Sequence, residues 1–183
     1  MRVEREIKLR FESPEQARAA VTAIGAEPLR ERRLQEDRLF DWPDARLRKA
    51  RNLLRVRQEA GNATLTFKGP PQPGTMKVRE EIETTVGDGS NLLTMLEQLG
   101  LRVVFRYQKY RQEFTHDGAV LAIDETPVGT YLEIEGDADR ITTIASALGR
   151  TQTDYIVASY RDLFLRDREA RGLNANDMVF ETQ

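Results

Sequence analysis

Seven short segments of this 183-residue chain alternate charged with apolar residues. Side chains of a β-strand point alternately to its two faces, so each segment places its charges on one face. In the first segment, residues 3–9, the side chains of Glu4, Glu6 and Lys8 share a face. The other six segments are residues 54–57, 65–68, 79–83, 109–111, 123–125 and 132–135.

Repetition of this pattern constrains the fold more than any one strand does. A single strand of this kind is typical of a sheet with one face in solvent. Seven in one small chain, carrying both signs of charge, predict a closed barrel with a polar lumen and an apolar outer face covered by helices. The predicted basic lumen residues are Lys8, Arg55, Arg57, Lys68, Arg79, Lys109 and Arg111. The predicted acidic ones are Glu4, Glu6, Glu81, Glu83, Asp124, Glu133 and Glu135.

The predicted elements follow the same order twice along the chain. Each half is predicted to contain a strand, a helix, a long strand and two further strands, in that order. The two helices end at the glycines Gly25 and Gly100. This weak internal repeat predicts an α+β fold with one eight-stranded antiparallel barrel built from two similar halves. The imperfect alternation of residues 28–41 predicts bulges in the first long strand.

The segments outside the barrel are less regular. Residues 44–52 are compatible with a short basic helix or a loop, and the sequence leaves both open. A helix is predicted at 139–148, and another begins near Ser159. We expect one domain over residues 1–170 and a C-terminal tail over 171–183.

Composition excludes several classes of protein. The net charge of −2 does not predict a general nucleic-acid-binding surface. The absence of cysteine excludes disulfides, thiolate nucleophiles and cysteine-ligated zinc. The chain begins with a charged strand and contains no apolar run long enough to span a bilayer, so a cytoplasmic protein without nucleic-acid or membrane partners is expected.

The charged lumen allows two interpretations. Buried charges are costly unless they are paired, so the residues could form a self-neutralising network of salt bridges. Alternatively, the basic residues bind phosphates while the carboxylates hold a hard divalent cation, Mg²⁺ or Mn²⁺. The second interpretation is favoured because arginine matches phosphate oxygens and carboxylate oxygens are the ligands that these ions prefer.

The charged motifs carry a family resemblance. Glu4-x-Glu6-x-Lys8 resembles the ExExK signature of the CYTH, or triphosphate tunnel metalloenzyme, superfamily, which includes class IV adenylyl cyclases, thiamine triphosphatases and inorganic triphosphatases. Later motifs are similar to those of the family in the same order: Arg55-x-Arg57, Thr66-x-Lys68, Arg79-x-Glu81-x-Glu83, Lys109-x-Arg111, Asp124 and Glu133-x-Glu135. The resemblance extends from residue 3 to about residue 165.

The resemblance implies a tunnel that binds a triphosphate and a metal. By similarity, Glu4, Glu6 and Glu135 are the best metal ligands, and the remaining carboxylates are further ligands or groups that support them: Glu81, Glu83, Asp124 and Glu133. Phosphate oxygens would be held by Lys8, Arg55, Arg57, Lys68, Lys109 and Arg111. The catalytic residues among these would be Lys8, Arg57, Lys109 and Arg111. Arg79 would either bind substrate or position its acidic neighbours.

Within the family, class IV adenylyl cyclases are closest in appearance. The motif Ser159-Tyr160-x-x-Leu163 and the chain length both resemble that group, which implies conversion of ATP to cyclic AMP and pyrophosphate. The alternative is a triphosphatase acting on tripolyphosphate, thiamine triphosphate or a nucleoside triphosphate. A non-catalytic polyphosphate or nucleotide sensor is a third hypothesis. The many carboxylates argue against it, because simple anion binding would need only the basic residues. A homodimer is left open.

Overall fold

A closed antiparallel barrel forms the body of the protein in the computed structural model, which describes residues 2–181. The strands are β1 (Arg2–Phe11), β2 (Glu27–Asp41), β3 (Leu53–Glu59), β4 (Asn62–Lys68), β5 (Lys77–Val86), β6 (Arg102–His116), β7 (Ala119–Thr126) and β8 (Gly129–Glu135). Around the barrel they follow the order β1-β5-β4-β3-β2-β6-β7-β8, and β8 pairs with β1 to close it. The predicted eight-stranded barrel is confirmed.

Helices lie outside the strands or between them. They are α1 (Pro14–Ala23), α2 (Arg46–Lys49), α3 (Gly89–Gln98), α4 (Ala138–Ala147) and α5 (Tyr160–Arg171), with a 3₁₀ turn at Gln152–Asp154. The one-turn α2 helix decides the open question about residues 44–52. The two halves of the chain are visible in the barrel because β1 lies beside β5 and β2 lies beside β6.

No helix within residues 2–181 combines the length and the apolar character needed to cross a membrane.

The apolar faces of the strands pack under helices, as their alternation predicts. On β1, Ile7 and Leu9 are fully buried on the outer side and pack with residues of α1 and α4. A second outer cluster beneath α3 contains Phe40, Val56, Leu96 and Leu101. Burying one such large apolar side chain stabilises the fold by about 1.5–3 kcal/mol, so these clusters hold the barrel closed while its other face stays polar.

The two long strands, β2 and β6, carry the irregularities that the sequence predicts. Their pairing register shifts between Pro28 and Arg30, between Arg30 and Arg33, and between Leu39 and Phe40. A bulge bends the strand that contains it, which suits a strand that must curve around a barrel. The bulges therefore explain why alternation in residues 28–41 is imperfect.

The C-terminal segment is attached to the barrel at two free strand edges. Lys8 and Ile156 exchange backbone hydrogen bonds of 3.0 and 2.9 Å on β1. At the other end, the Met178 amide donates to Arg106 and its carbonyl accepts from Gln108, at 3.0 and 2.8 Å, on the part of β6 that β7 does not cover. We call residues 156–180 the C-terminal plug.

The plug fills one end of the lumen with an apolar cluster. Inward-facing Leu39, Tyr107 and Tyr131 meet Tyr160 and Phe164 of α5, and Phe105 and Met178 complete the cluster. Asp177 also accepts a 2.8 Å hydrogen bond from the Arg106 amide, and the Phe180 ring packs against the Tyr110 ring at a tilt of 40°. These contacts order the described part of the predicted tail; residues 182–183 lie outside the described residues, and the division at residue 170 stays a prediction.

We expect Met178→Ala to lower the free energy of unfolding by about 2–5 kcal/mol, because Met178 is fully buried in the apolar cluster and alanine would leave a cavity. Urea unfolding followed by circular dichroism measures this change. Met95→Ala is the matched control, since Met95 lies on α3 with 58% of its surface exposed. An unfolding midpoint for Met178→Ala equal to that of the wild type would show that the plug does not stabilise the barrel.

Candidate functional site

The lumen of the barrel is a cavity of about 1020 Å³. Every predicted lumen residue except Asp124 lines it, which places the following side chains together: Glu4, Glu6, Lys8, Arg55, Arg57, Lys68, Arg79, Glu81, Glu83, Lys109, Arg111, Glu133 and Glu135. Asp124 is fully buried in the barrel wall, where it contacts Lys109 and Arg111. The predicted location is therefore correct for all of these charged residues except Asp124, which lies behind the lumen surface.

Strand pairing explains how distant parts of the chain meet here. Residues directly opposite each other on antiparallel strands share a face and lie close together. Opposite pairs in the lumen are Glu6 and Glu135, Lys8 and Glu133, Glu4 and Arg79, Lys68 and Glu81, and Arg111 and Asp124.

Two arginines on β3 are held by one buried aspartate of β2, and we call Asp37, Arg55 and Arg57 the Asp37 group. Arg57 donates to both carboxylate oxygens of Asp37, at 2.9 and 3.2 Å, and Arg55 Nε lies 3.4 Å from Oδ1. Burial alone would raise the pKa of Asp37, but the guanidinium groups of Arg57 and Arg55 hold it below its usual value. Asp37 therefore stays charged and fixes both arginines.

Sequence analysis did not identify Asp37. Asp37 is two residues from both Gln35 and Leu39 on β2, so its side chain points to the same face as theirs, which is the face toward the lumen. Charged residues on the outer face of β2, such as Glu36 and Arg38, obscured this spacing. The signal was present, but the bulged strand did not alternate cleanly between polar and apolar residues.

A second buried aspartate holds cations on β6, and we call Asp124, Lys109 and Arg111 the Asp124 group. Lys109 Nζ lies 2.8 Å from Oδ2, and Arg111 donates to Oδ1 and Oδ2 at 2.7 and 2.5 Å. Arg111 also contacts Glu133. Burial, with the nearby Arg111 charge, lowers the pKa of Lys109 to about 8 despite its carboxylate neighbour.

Lysines neutralise the carboxylates of β1 and its neighbours. Lys8 Nζ lies 3.1 Å from both Glu6 and Glu133. Lys68 Nζ lies 2.6 Å from Glu4 and 3.0 Å from Glu81. Four of the predicted carboxylates, Glu4, Glu6, Glu81 and Glu133, are thus paired with lysines in the lumen, as the self-neutralising interpretation requires.

Lys77 is a further site residue that sequence analysis missed. Its Nζ lies 2.7 Å from Glu6. Burial alone would raise the pKa of Glu6, but the ammonium groups of Lys77 and Lys8 hold it well below its usual range. Lys77 is two residues before Arg79 on β5, so both side chains point into the lumen. The alternation of lumen-facing charges on this strand therefore begins one position earlier than the sequence analysis predicted.

Arg79 contacts backbone instead of carboxylates. Its guanidinium donates to the carbonyl of Gly69 at 2.6 Å and to that of Arg51 at 2.9 Å. The side chain thereby ties the end of β4 to the segment that precedes β3. Its role in binding substrate stays a prediction.

Glu135 is a lumen carboxylate whose pKa is raised, in contrast to that of Glu6. Burial and the negative charge of Glu4 raise the pKa of Glu135 to about 7, and Arg2 offsets this only in part. Glu6 also contributes to the rise. Glu135 therefore still experiences the negative charges of Glu4 and Glu6, although lysines pair with both of those glutamates.

These three glutamates fit a divalent metal by their chemistry. They offer carboxylate oxygens, which Mg²⁺ and Mn²⁺ prefer, and their mutual repulsion would be relieved by a cation. Within the part of the chain that the structure describes, no three acidic or histidine side chains are already gathered around one point. Lysine and arginine contacts hold the carboxylates apart, so a metal would have to replace some of those contacts.

Comparison with known proteins identifies relatives along almost the whole chain. The sequence profile of the CYTH domain matches residues 2–160. A Methanocaldococcus jannaschii protein provisionally named an adenylate cyclase is 27% identical over 172 residues, which cover 88% of this chain and 98% of that protein.

Two solved structures share the fold. A Vibrio parahaemolyticus protein, provisionally named an adenylate cyclase, gives a TM-score of 0.78 at 21% identity and covers 90% of this chain and 98% of its own. The second structure is a Hippeastrum protein provisionally named an adenylyl cyclase and described as having a dominant triphosphatase activity. Its TM-score is 0.69 at 21% identity, and the match covers 90% of this chain and 96% of the Hippeastrum chain. At these identities the likeness shows the architecture alone.

We expect Asp37→Ala to lower the free energy of unfolding by about 3–5 kcal/mol, because it leaves two buried guanidinium groups without their carboxylate. Chemical denaturation measures the loss. Asp44→Ala is the control, since Asp44 forms an exposed ion pair with Arg46 and its removal should change stability little. Equal effects of the two substitutions would argue against Asp37 as an anchor.

Without added metal, we expect Glu135 to titrate near pH 7 in carbon-detected NMR of the side-chain carboxyl. Glu4→Gln should lower the pKa of Glu135 because it removes a negative neighbour, whereas exposed Glu80→Gln should leave it unchanged. Since folding raises this pKa, the contribution of Glu135 to stability falls as pH rises from about 4.5 to 7. An ordinary carboxyl titration near 4.5 would refute the crowding of these glutamates.

Proposed function

The chain belongs to the CYTH domain family, and on that premise we propose that it is a divalent-metal-dependent enzyme that binds a triphosphate in the barrel lumen and cleaves a phosphoanhydride bond. The family processes triphosphates. The observation that carries the proposal is the presence of two buried cationic groups, the Asp37 group and the Asp124 group, in one cavity.

Each buried aspartate orients cations without using all of their donors. Arginine offers five N–H donors and lysine three, so contacts with one carboxylate leave others for a phosphate. Arg55 Nε is buried without a hydrogen-bond acceptor among the described residues. Forked guanidinium groups bind phosphate oxygens in pairs, which supports Arg55 and Arg57 as phosphate ligands.

Glu4, Glu6 and Glu135 would hold the metal. When bound, a divalent cation polarises phosphate oxygens and neutralises the charge that develops on them. Metal binding would also free Lys68 and Lys77 from Glu4 and Glu6, and these ammonium groups could then contact phosphates. The metal is positive and the triphosphate is negative. The lumen carboxylates can therefore exchange their lysine partners for the metal, and the lysines can exchange carboxylates for phosphates, without a large change in the net charge of the lumen.

Adenylyl cyclase chemistry is our first choice of reaction. The ribose 3′-hydroxyl would attack the α-phosphorus of ATP while the bond to the departing pyrophosphate breaks. Arg57, Lys8 and Arg111 would stabilise the charge on the phosphate oxygens. Lys109, whose pKa is about 8, is suited to accept the hydroxyl proton at mildly alkaline pH. The cyclase name of the Methanocaldococcus relative supports this choice.

Triphosphate hydrolysis is the second candidate, supported by the description of the Hippeastrum protein. Water would attack a terminal phosphorus and release orthophosphate, and the same lumen residues would stabilise the developing charge. The two reactions differ in which phosphorus meets the nucleophile.

Incubation of the purified protein with Mn²⁺ or Mg²⁺ and, separately, ATP, tripolyphosphate and thiamine triphosphate decides between these reactions. We expect cyclic AMP and pyrophosphate from ATP, separated by ion-exchange chromatography. Orthophosphate from tripolyphosphate, with no cyclic nucleotide from ATP, would instead assign the protein to the triphosphatases. No turnover of any of them would refute the proposal.

Metal dependence is tested in the same assay with EDTA and Glu6→Gln, both of which should abolish turnover because they remove the metal or one of its ligands. Glu80→Gln, on the exposed face of β5, serves as the control. Full activity in EDTA would contradict the metal assignment.

A further inference from the structure

Tyr160 connects the C-terminal plug to the cations of the lumen. It is the first residue of α5 and is 6% exposed. Its hydroxyl lies 2.6 Å from Asp124 Oδ2, the oxygen that Lys109 and Arg111 also contact. Its ring lies 5.0 Å from Lys109 Nζ and 5.2 Å from Lys8 Nζ, within the range of cation–π attraction.

The start of α5 is held in place from two directions. Ser159 and Asp162 form a reciprocal capping box, in which the Ser159 amide donates to Asp162 at 3.0 Å and the Asp162 amide donates to Ser159 at 3.2 Å. On the other side, Tyr160 packs edge-on against Tyr131 and beside Tyr107. The hydroxyl of Tyr160 therefore meets Asp124 at a position that the helix and the aromatic cluster together determine.

Asp124 is shared among three donors. Lys109 and Tyr160 each contact Oδ2, while Arg111 contacts both oxygens. An oxygen has a limited number of lone-pair directions, so a hydroxyl that takes one of them reduces the hold of Asp124 on the two cations. The ring of Tyr160 also lies within cation–π range of the Lys109 ammonium, with 5.0 Å between Nζ and the ring centroid.

We propose that Tyr160 is a positioning residue for Lys109 and Arg111, and that the C-terminal plug is therefore part of the phosphate-binding site. This inference rests on the proposed binding of a triphosphate in the lumen. The hydroxyl limits how far Asp124 draws the two cations toward the barrel wall, which leaves their remaining donors available to phosphate. The family profile ends at residue 160, so nearly all of α5 and the rest of the plug lie beyond it.

The test is calorimetric titration of tripolyphosphate into folded protein in EDTA, which measures phosphate binding without metal or turnover. Tyr160→Phe keeps the ring and removes only the hydroxyl. We expect it to raise the Kd for tripolyphosphate about tenfold, or about 1.4 kcal/mol. Tyr131→Phe is the matched control: Tyr131 belongs to the same cluster, but its hydroxyl faces the Val128 carbonyl at 3.4 Å, and its Kd should stay that of the wild type.

A double-mutant cycle separates positioning from general loosening of the plug. If Tyr160 acts through Lys109, then Tyr160→Phe should cost much less affinity in a Lys109→Ala background than in the wild type. Additive losses would overturn the proposal, as would an unchanged Kd for Tyr160→Phe. Equal losses in Tyr160→Phe and Tyr131→Phe would also overturn it, because they would indicate a merely structural effect.

Wild-type protein that fails to bind tripolyphosphate in EDTA would refute metal-free phosphate binding by the lumen cations, and the role of Tyr160 with it, whereas the proposed metal-dependent activity is tested separately by the turnover assay. That outcome differs from wild-type binding with an unaffected Tyr160→Phe variant, which refutes the role of Tyr160 alone. Thermal unfolding of each variant confirms that the titrations report folded protein.

Discussion

Charge pairing inside a closed barrel is the interaction on which the rest of this structure depends. An unpaired ion in a buried lumen loses much of its hydration, so both signs of charge must be present and adjacent. Two fully buried aspartates supply the opposite charge for most of the cations: Asp37 pairs with Arg55 and Arg57, and Asp124 pairs with Lys109 and Arg111. Glutamates of β1, β5 and β8 form the ion pairs that neutralise the lysines. The barrel can keep a polar interior only because these partners come from strands that its closure makes neighbours.

Such a network is a poor way to gain stability, which points to function as its reason. Replacing buried ion pairs by well-packed apolar residues is often neutral or stabilising. A lumen rich in exchangeable pairs instead suits a ligand that brings both signs of charge, as a metal-bound triphosphate does. Glu135 marks a place where pairing is incomplete, because burial and the negative charges of Glu4 and Glu6 raise its pKa to about 7 despite the contact with Arg2.

The plug shows that the apolar core and the polar site are coupled. The outer clusters lie against helices, but the cluster around Tyr160 lies inside one end of the barrel and borders the cations directly. Backbone pairing at Ile156 and Met178 holds this segment on both sides. The apolar cluster at the end of the lumen is thus in direct contact with the Asp124 group through the Tyr160 hydroxyl.

Together with the internal repeat, alternation in the sequence was enough to predict eight strands and the face on which each predicted charge lies, because side-chain direction in a strand follows from local geometry with a period of two. It was not enough to find Asp37, since β2 bulges and carries charges on both faces. It also could not show that Asp124 would be shared by Lys109, Arg111 and Tyr160, or that Met178 would pair with β6. These arrangements depend on strand order and barrel closure, which join residues far apart in the chain, and only the tertiary structure decides which of many possible opposite charges become partners.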